Sequence, residues 1–255
     1  MEKRNAVPVR SVQKALEILD MLIFEDPACD GVSLSEIARR MAMPANSAHN
    51  LLKSMVVCNY VNQNERGHYI AGTMVEQIGS LNRLRSPRMM DVVVSCCRST
   101  GEALGESVVF ATLAGGRRIR VAAFDALRSV RVDHASHEVE HMYRSPTGRV
   151  LVALADDEQL KAVLARHGWP GAKWADISSR SQLEQARKEI RRRGSETIEN
   201  TRTEITAMAC PVVDSKGALI GAIGCFAPSY RCEKEQQKKI IKTLQTVAKE
   251  TSDKL

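Results

Sequence analysis

Apolar side chains recur every three or four residues in three stretches near the start of the chain, which is the spacing of amphipathic helices. The positions expected to face inward are Val12, Leu16, Leu19 and Leu22 in the first stretch, Leu34, Ile37, Ala38 and Met41 in the second, and Ala48, Leu51, Leu52 and Met55 in the third. The pattern predicts three helices, the first over residues 11–23, that pack together as a helix-turn-helix core.

Local signals mark where the second and third helices begin. Ser33 stands three residues before Glu36, the spacing of a capping box in which the hydroxyl accepts the Glu36 N–H and the carboxylate accepts the Ser33 N–H. Pro44 suits the first turn of the third helix, because its missing N–H costs nothing there. Further on, residues 60–62 and 68–70 flank a turn with glycine, which predicts a β-hairpin. Three helices followed by a hairpin make a winged helix-turn-helix.

The face of the third helix opposite its apolar residues is polar and free of carboxylates. Asn46, His49 and Asn50 lie there with Lys53, at helical spacing. Short polar side chains near a helix N-terminus suit base edges in the major groove of double-stranded DNA. Residues 37–64 also contain three basic side chains and no acidic one, which favours a phosphate-facing edge. The expected DNA contacts are Ser33, Arg39, Arg40, Asn46, Ser47, His49, Asn50 and Lys53.

The rest of the chain predicts a linker helix and a second domain. Apolar residues at helical spacing over residues 73–85 indicate a helix, which Ser86 and Pro87 end. Further helices are expected over residues 88–100 (ended by Gly101), 146–155, 158–167, 183–193 and from 234, and strands over 106–113, 118–124, 129–132, 205–213 and 218–226. Hairpins with helices alongside indicate an α+β sensor domain. The expected domains are residues 1–72, the linker 73–86, and residues 87–255.

Composition narrows the protein class. Of 255 residues, 44% are apolar and 4% aromatic, as in a soluble protein with aliphatic cores. No apolar run has the length of a membrane span and residues 1–10 contain no signal core, so we expect a cytoplasmic protein without membrane partners. The seven cysteines show no framework spacing and are expected to be reduced thiols. The net charge of +7 lies outside residues 1–72, where acidic and basic residues balance, so it does not itself indicate DNA binding.

The order of these features closely resembles the IclR family of bacterial transcriptional regulators over nearly the whole chain. SVQKALEILDML, LSEIARRMAMPANSAHNLLKSM and a wing that ends in YIAG resemble the family's N-terminal domain. SPTGRVLVAL, LEQARKEIRRRG and MACPVVDSKGALIGAIGCFAPSYR resemble its effector-binding domain, a GAF-like fold. The resemblance implies a regulator whose operator affinity changes when a small organic acid binds, with a linker helix that helps to pair subunits.

The resemblance also implies where such an acid would bind. The corresponding residues are Thr147, Gly148, Arg149, Thr197, Glu199, Ala207, Gly224 and Phe226. Relatives often carry Asp, Cys and Ser at the positions that align with Thr197, Ala207, Gly224 and Phe226. The present residues remove polar partners and add an aromatic ring, which indicates a more apolar or aromatic acid or an altered ligand response. Ala207 and Phe226 fit equally well as hairpin core.

Two other classes of function remain open at this point. A thiol- or metal-responsive regulator with the same DNA-binding domain would use Cys210, Cys225 and Cys232, or the cluster His134, His137, Glu138, Glu140 and His141. The spacing of that cluster fits no usual zinc pattern, so we expect no metal and no cofactor. An enzyme could use Glu102 or Glu106, but the chain has no nucleophile elbow, phosphate loop or metal signature. We expect no catalytic residues.

The expected DNA site is a palindromic operator. One recognition helix covers only a few base pairs, and a protein with two-fold symmetry reads an inverted repeat. The sequence therefore predicts a homodimer or a dimer of dimers.

Overall fold

The computed structural model describes residues 9–26, 28–84, 86–129, 131–132 and 141–254. The chain divides into two compact units, residues 1–80 and 81–255. No described helix is long and apolar enough to cross a membrane.

The N-terminal unit is a winged helix-turn-helix, as predicted. Its elements are α1 (Arg10–Phe24), α2 (Leu34–Arg40), α3 (Ala45–Val57), β1 (Val61–Gln63) and β2 (Tyr69–Ala71), followed by α4 (Thr73–Leu84), which spans the division between the units. Strands β1 and β2 pair antiparallel, and Val32 adds a bridge to Tyr69, which ties the hairpin to the chain before α2. Pro44 occupies the N-cap of α3, one residue earlier than expected.

The prediction of the inward face of α1 was wrong at two positions. Ile18, Met21 and Leu22 are the fully buried residues of this helix. Val12 and Leu16 are 55% and 57% exposed. Helix α1 thus carries two apolar faces, and the domain covers only one of them.

The C-terminal unit is an α+β domain built on one sheet. Its elements are α5 (Pro87–Leu104), β3 (Ser107–Ala114), β4 (Arg117–Phe124), α6 (Pro146–Leu154), α7 (Asp157–His167), α8 (Arg180–Arg193), β5 (Glu196–Asn200), β6 (Ile205–Val213), β7 (Leu219–Pro228), a 3₁₀ turn (Ser229–Arg231) and α9 (Lys234–Lys254). The strand order is β4-β3-β7-β6-β5, and all neighbours pair antiparallel. Strand β5 was not among the predicted strands.

Helices cover both faces of this sheet. On one face, α5 and α9 pack against Met208, Cys210, Ile223 and Cys225. On the other face, α6 packs with α7 and α8 against alanine-rich positions of β3, β6 and β7. Because side chains alternate along a strand, consecutive residues in β5, β6 and β7 point to opposite faces of the sheet and pack against different helices. This alternation decides which predicted site residues can meet.

Gly101 does not end a helix, contrary to the prediction. Helix α5 continues to Leu104 and ends at Gly105, which has a positive φ of 66°. A Cβ at position 101 would lie 2.0 Å from Cδ1 of Phe124, so glycine is present because the ring of Phe124 packs against the helix backbone.

The predicted strand over residues 129–132 is also wrong. Ser129, Arg131 and Val132 are not in a strand, and residue 130 lies outside the described residues. Instead, the hydroxyl of Ser107 accepts the N–H of Ala126 and donates to the carbonyl of Val132, which holds this segment against the start of β3.

Candidate DNA interface and ligand-binding site

Helix α3 presents the predicted DNA-reading residues to solvent. The side chains of Asn46, Ser47, His49, Asn50 and Lys53 are exposed, while Ala48, Leu52 and Met55 on the opposite side are buried. The helix has no acidic residue in its first turn. The face is therefore open, polar and free of negative charge, as contact with base edges and phosphates requires.

The two predicted phosphate-binding arginines of α2 already have acidic partners. The guanidinium of Arg39 donates to both carboxylate oxygens of Glu36, at 2.9 and 2.6 Å. Arg40 pairs with Glu25. Because Glu36 bonds to Arg39, only half of the predicted capping box forms: Ser33 accepts the Glu36 N–H at 3.3 Å, without the reciprocal bond.

The tip of the hairpin is organised by one asparagine. The side-chain oxygen Oδ1 of Asn64 accepts the N–H groups of Arg66 and His68, both at 3.0 Å, and its Nδ2 donates to the carbonyl of Asp30. These bonds fix the wing to the loop before α2 and leave the side chain of Arg66 exposed.

In the C-terminal unit, the first turn of α6 contacts the residues just before the helix and strand β7 of the sheet. Ser145 caps the helix by accepting the N–H of Gly148 at 3.1 Å. A Cβ on Gly148 would lie 2.0 Å from the carbonyl oxygen of Met142, so glycine is required by this close approach. Thr147 is buried, and a Cβ on Gly224 of β7 would lie 2.6 Å from its methyl group.

Arg118 also reaches this turn, and sequence reasoning missed it. Its Nε donates to Oγ1 of Thr147 at 2.7 Å. The available signal was the spacing of Arg118 and Arg120 on β4: they pair with Leu113 and Ala111, so both point to the α6 face of the sheet. The guanidinium and the helix N-terminus each bring positive charge to this corner.

An apolar cluster lies on the same face of the sheet. Phe226 and Ala207 are directly paired across β7 and β6 and are buried together with Val109 and Val132. Gly224 precedes Phe226 by two residues on β7 and therefore shares this face. The burial of Phe226 and Ala207 is consistent both with a core position in the hairpin and with the wall of a pocket. Residues 133–140, which follow Val132, lie outside the described residues.

Strand pairing places Thr197 and Glu199 on the opposite face of the sheet from Ala207, Gly224 and Phe226. Ile198 pairs with Ala207, so Ile198 shares the α6 face. The two flanking residues point to the opposite face, where Oε1 of Glu199 accepts a hydrogen bond of 2.7 Å from Gln237 of α9. The side chains of Thr197 and Glu199 are thus offset by one residue along β5 from the face that carries the predicted residues of β6 and β7.

Arg149 is directed to the β5 edge of the sheet. Its guanidinium donates to Glu196 at 2.9 Å and to the carbonyls of Tyr143 and Lys173 at 2.8 and 3.0 Å. It also lies 5.2 Å from the ring centroid of Trp174. Burial lowers the pKa of Arg149, which the ion pair with Glu196 opposes. Arg149 is thus fixed in one orientation.

The geometry argues against a thiol sensor at the three cysteines named above. All three are buried. Burial raises the pKa of Cys210 to about 12 and that of Cys232 to about 11, and it also raises the pKa of Cys225. The reactive thiolate is therefore scarce at neutral pH.

The metal and enzyme alternatives gain no geometric support among the described residues. Of the residues considered for a metal site only His141 is described, and the described part of the chain contains no group of three potential ligands. Glu106 is buried and receives two hydrogen bonds from Arg231, at 2.6 and 2.8 Å, which is the arrangement of a structural ion pair.

Family models match both units. One described as IclR helix-turn-helix domain matches residues 11–65. Another described as Bacterial transcriptional regulator IclR C-terminal matches residues 88–253, well over half of the chain.

Curated relatives match over most of their length. The Transcriptional repressor IclR of Escherichia coli (strain K12) is 25% identical over 227 residues, which cover 88% of this chain and 81% of the relative. The HTH-type transcriptional regulator KdgR of the same organism is 22% identical over 249 residues, 96% of this chain and 92% of the relative.

Solved structures share the fold. The Thermotoga maritima IclR has a TM-score of 0.56 at 21% identity and aligns over 96% of this chain and 98% of its own. An IclR homolog from Microbacterium hydrocarbonoxydans, complexed with 4-hydroxybenzoate, has a TM-score of 0.53 at 17% identity over 96% and 98%. The two family models, which cover both units, show the family. The chain belongs to the IclR family of DNA-binding bacterial transcriptional regulators.

Proposed function

We propose that this regulator binds a small organic acid on the α6 face of its C-terminal sheet and that binding changes its affinity for operator DNA. The observation that carries the proposal is the hydrogen bond from Arg118 to Thr147 at the N-terminus of α6. A guanidinium and a helix N-terminus both favour an anion, and here they converge on one buried hydroxyl.

The neighbouring apolar cluster favours an acid with an aromatic body. Phe226 and Gly224 lie two residues apart on β7, and such residues are about 7 Å apart along a strand. Gly224 lies beneath Thr147, so a carboxylate at Thr147 would leave the ring of the acid near Phe226. This separation matches the size of a benzoate. The related fold that was solved with 4-hydroxybenzoate supports the choice of this compound as the first probe.

In this proposal the predicted residues divide by position. Thr147, Gly148, Ala207, Gly224 and Phe226 belong to the acid site, and Arg118 joins them. Thr197 and Glu199 face α9, so they contribute to it only through the backbone of β5. Arg149 supports the site from the β5 side.

The acid site is tested by thermal unfolding of the full chain with 4-hydroxybenzoate, benzoate and acetate. We expect at least one acid to raise the unfolding midpoint of the wild type and of Thr147→Ser, and to have a smaller effect on Thr147→Val, which removes the hydroxyl but keeps the shape. Equal stabilisation of all three proteins would place the acid elsewhere. Substitution of Gly148 is unsuitable, because a larger residue would clash with the carbonyl of Met142.

Coupling to DNA is tested with fragments that the purified protein selects from random sequence. The acid should change operator affinity several-fold, and by linkage operator DNA should change affinity for the acid by the same factor. An acid that binds with no such effect would contradict the proposed signalling through the helix Thr73–Leu84.

We further propose that the protein acts as a homodimer, or a dimer of dimers, on a palindromic site. The uncovered apolar face of α1, with Val12 and Leu16 more than half exposed, supports pairing with a second copy through this helix. Light scattering after size exclusion should give a smaller mass for Leu16→Glu than for wild type. The control is Val57→Glu, which adds the same charge at an exposed apolar position of α3. A monomeric wild type would contradict the proposal, and a dimeric Leu16→Glu would exclude α1 as the contact.

A further inference from the structure

A cleft of about 600 Å³ opens beside strand β5, on the far side of α6 from Arg118. Four cationic residues line it: Arg144, Arg149, Lys173 and Arg202. They come from separate parts of the chain: the segment before α6, α6 itself, the segment between α7 and α8, and the turn after β5. The fold therefore gathers positive charge here from residues that are distant in sequence.

Among the described residues, the acidic side chains near the cleft are bonded to partners other than Arg144 and Lys173. The carboxylate of Glu196 is bound to Arg149 and Arg193. Glu199 also lines the cleft, but its carboxylate is bonded to Gln237 on the α9 side of the sheet. Among the described residues, no carboxylate lies within ion-pair distance of the charged groups of Arg144 or Lys173.

The base of the cleft is rigid. Arg149 is fixed by three hydrogen bonds and by its contact with Trp174, so its guanidinium does not need to be ordered when an anion arrives. The positive field extends to a neighbour: burial and the charges of Lys173 and Arg144 lower the pKa of His141. Its Nδ1 accepts the N–H of Tyr143, as a neutral imidazole can.

We propose that this cleft is a second ligand site, separate from the organic-acid site, and that it binds a small polyanion with at least two negative charges. A single exposed ion pair contributes little free energy in water, so a monocarboxylate would gain little there. An anion that contacts Arg144 and Lys173 together, above the fixed Arg149, gains from several pairs at once. Polycarboxylates and compounds with phosphate groups share this chemistry.

The test uses isothermal titration of the full chain with citrate, pyrophosphate and acetate at constant ionic strength. We expect citrate or pyrophosphate to bind the wild type and acetate not to bind at this site. The polyanion that binds more tightly shows whether the site prefers carboxylate or phosphate groups. Lys173→Gln combined with Arg144→Gln should weaken binding at least tenfold, and Lys173→Arg should retain it.

Two controls separate this site from others. Lys161→Gln removes an exposed charge of α7 outside the cleft and should leave polyanion binding unchanged. Thr147→Val, which weakens the proposed organic-acid site, should also leave it unchanged. The proposal is overturned if neither polyanion binds, if the double variant binds like the wild type, or if Thr147→Val abolishes binding. None of these results depends on whether 4-hydroxybenzoate binds.

Discussion

The guanidinium of Arg39 is bonded through two nitrogens to the carboxylate of Glu36, three residues earlier on α2. The hydrogen bonds lower the pKa of Glu36 and raise that of Arg39, so both groups stay charged. Arg39 is nevertheless 73% exposed, and an exposed pair of this kind is weak. A phosphate that approaches α2 therefore competes with Glu36 for a guanidinium that is already oriented.

The first prediction concerns this competition. Glu36→Gln should strengthen binding to operator and to random DNA alike, because it removes a negative charge and frees Arg39 for phosphate. The plot of log affinity against log salt should become steeper by up to about one unit. Fluorescence anisotropy over a salt series measures both effects. Glu17→Gln, which breaks the comparable pair with Lys14 on α1, is the matched control and should change neither. Unchanged affinity in Glu36→Gln would remove Arg39 from the phosphate contacts.

The second prediction separates base reading from backbone contact on α3. Asn50→Ala should lose about 1–3 kcal/mol of discrimination for operator over random DNA, because an amide can form a paired contact with adenine. Lys53→Ala should weaken binding to all DNA sequences by a similar factor. It should also reduce the slope of log affinity against log salt by roughly one unit. Competition binding with both DNAs distinguishes the two patterns. Equal loss on operator and random DNA for Asn50→Ala would exclude Asn50 from base reading.

The third prediction concerns the contact between α5 and β4. Gly101→Ala should lower the free energy of unfolding by about 1–3 kcal/mol, because the added methyl overlaps the ring of Phe124. Gly79→Ala is the control: position 79 is helical and exposed, and a Cβ there meets nothing within 4 Å. It should stabilise α4 by up to about 1 kcal/mol. Urea unfolding followed by circular dichroism compares them. A neutral Gly101→Ala would contradict the packing described for Phe124.

The fourth prediction concerns the thiols and pH. Cys29 and Cys58 are exposed and should react rapidly with a disulfide reagent at pH 8, whereas the five buried cysteines should react only after denaturation. Folding raises the pKa of the buried thiols, so they remain protonated where the unfolded chain ionises. Their contribution to stability is therefore present below about pH 9 and is lost as the pH rises further. More than two fast-reacting thiols in the native protein would reopen the redox hypothesis.

The helix-turn-helix could be predicted from the sequence because periodicity and turn residues agree there, but periodicity did not decide which face of α1 is buried. Val12 and Leu16 follow helical spacing on one face of α1, and Ile18, Met21 and Leu22 follow it on another. When a helix has two apolar faces, its own sequence does not show which face is buried. Packing against the other helices decides it. Gly101 was interpreted as a helix end because local sequence does not show a tertiary reason for a glycine. The ring that requires it, Phe124, belongs to a strand more than twenty residues later.

The elements around the proposed acid site were predictable from the sequence, but the strand faces that its residues occupy were not. The Pro146–Gly148 helix start and the final hairpin were identified correctly. The faces of β5 were not, because ETIEN contains no clear alternation of apolar and polar residues to distinguish Glu199 from Ile198. Arg118 was missed because the spacing of Arg118 and Arg120 shows that they share one face of β4, but not that this face is the one that carries α6.

The close approach of Gly224 to Thr147 constrains the order in which these two positions can be substituted. A side chain at 224 would press on the threonine methyl, whose nearest distance to an added Cβ is 2.6 Å. Replacing threonine by a smaller residue first leaves room for alanine or serine at 224, whereas the reverse order passes through a strained intermediate. A mutational path that reshapes this corner therefore has a preferred direction, with position 147 changing before position 224.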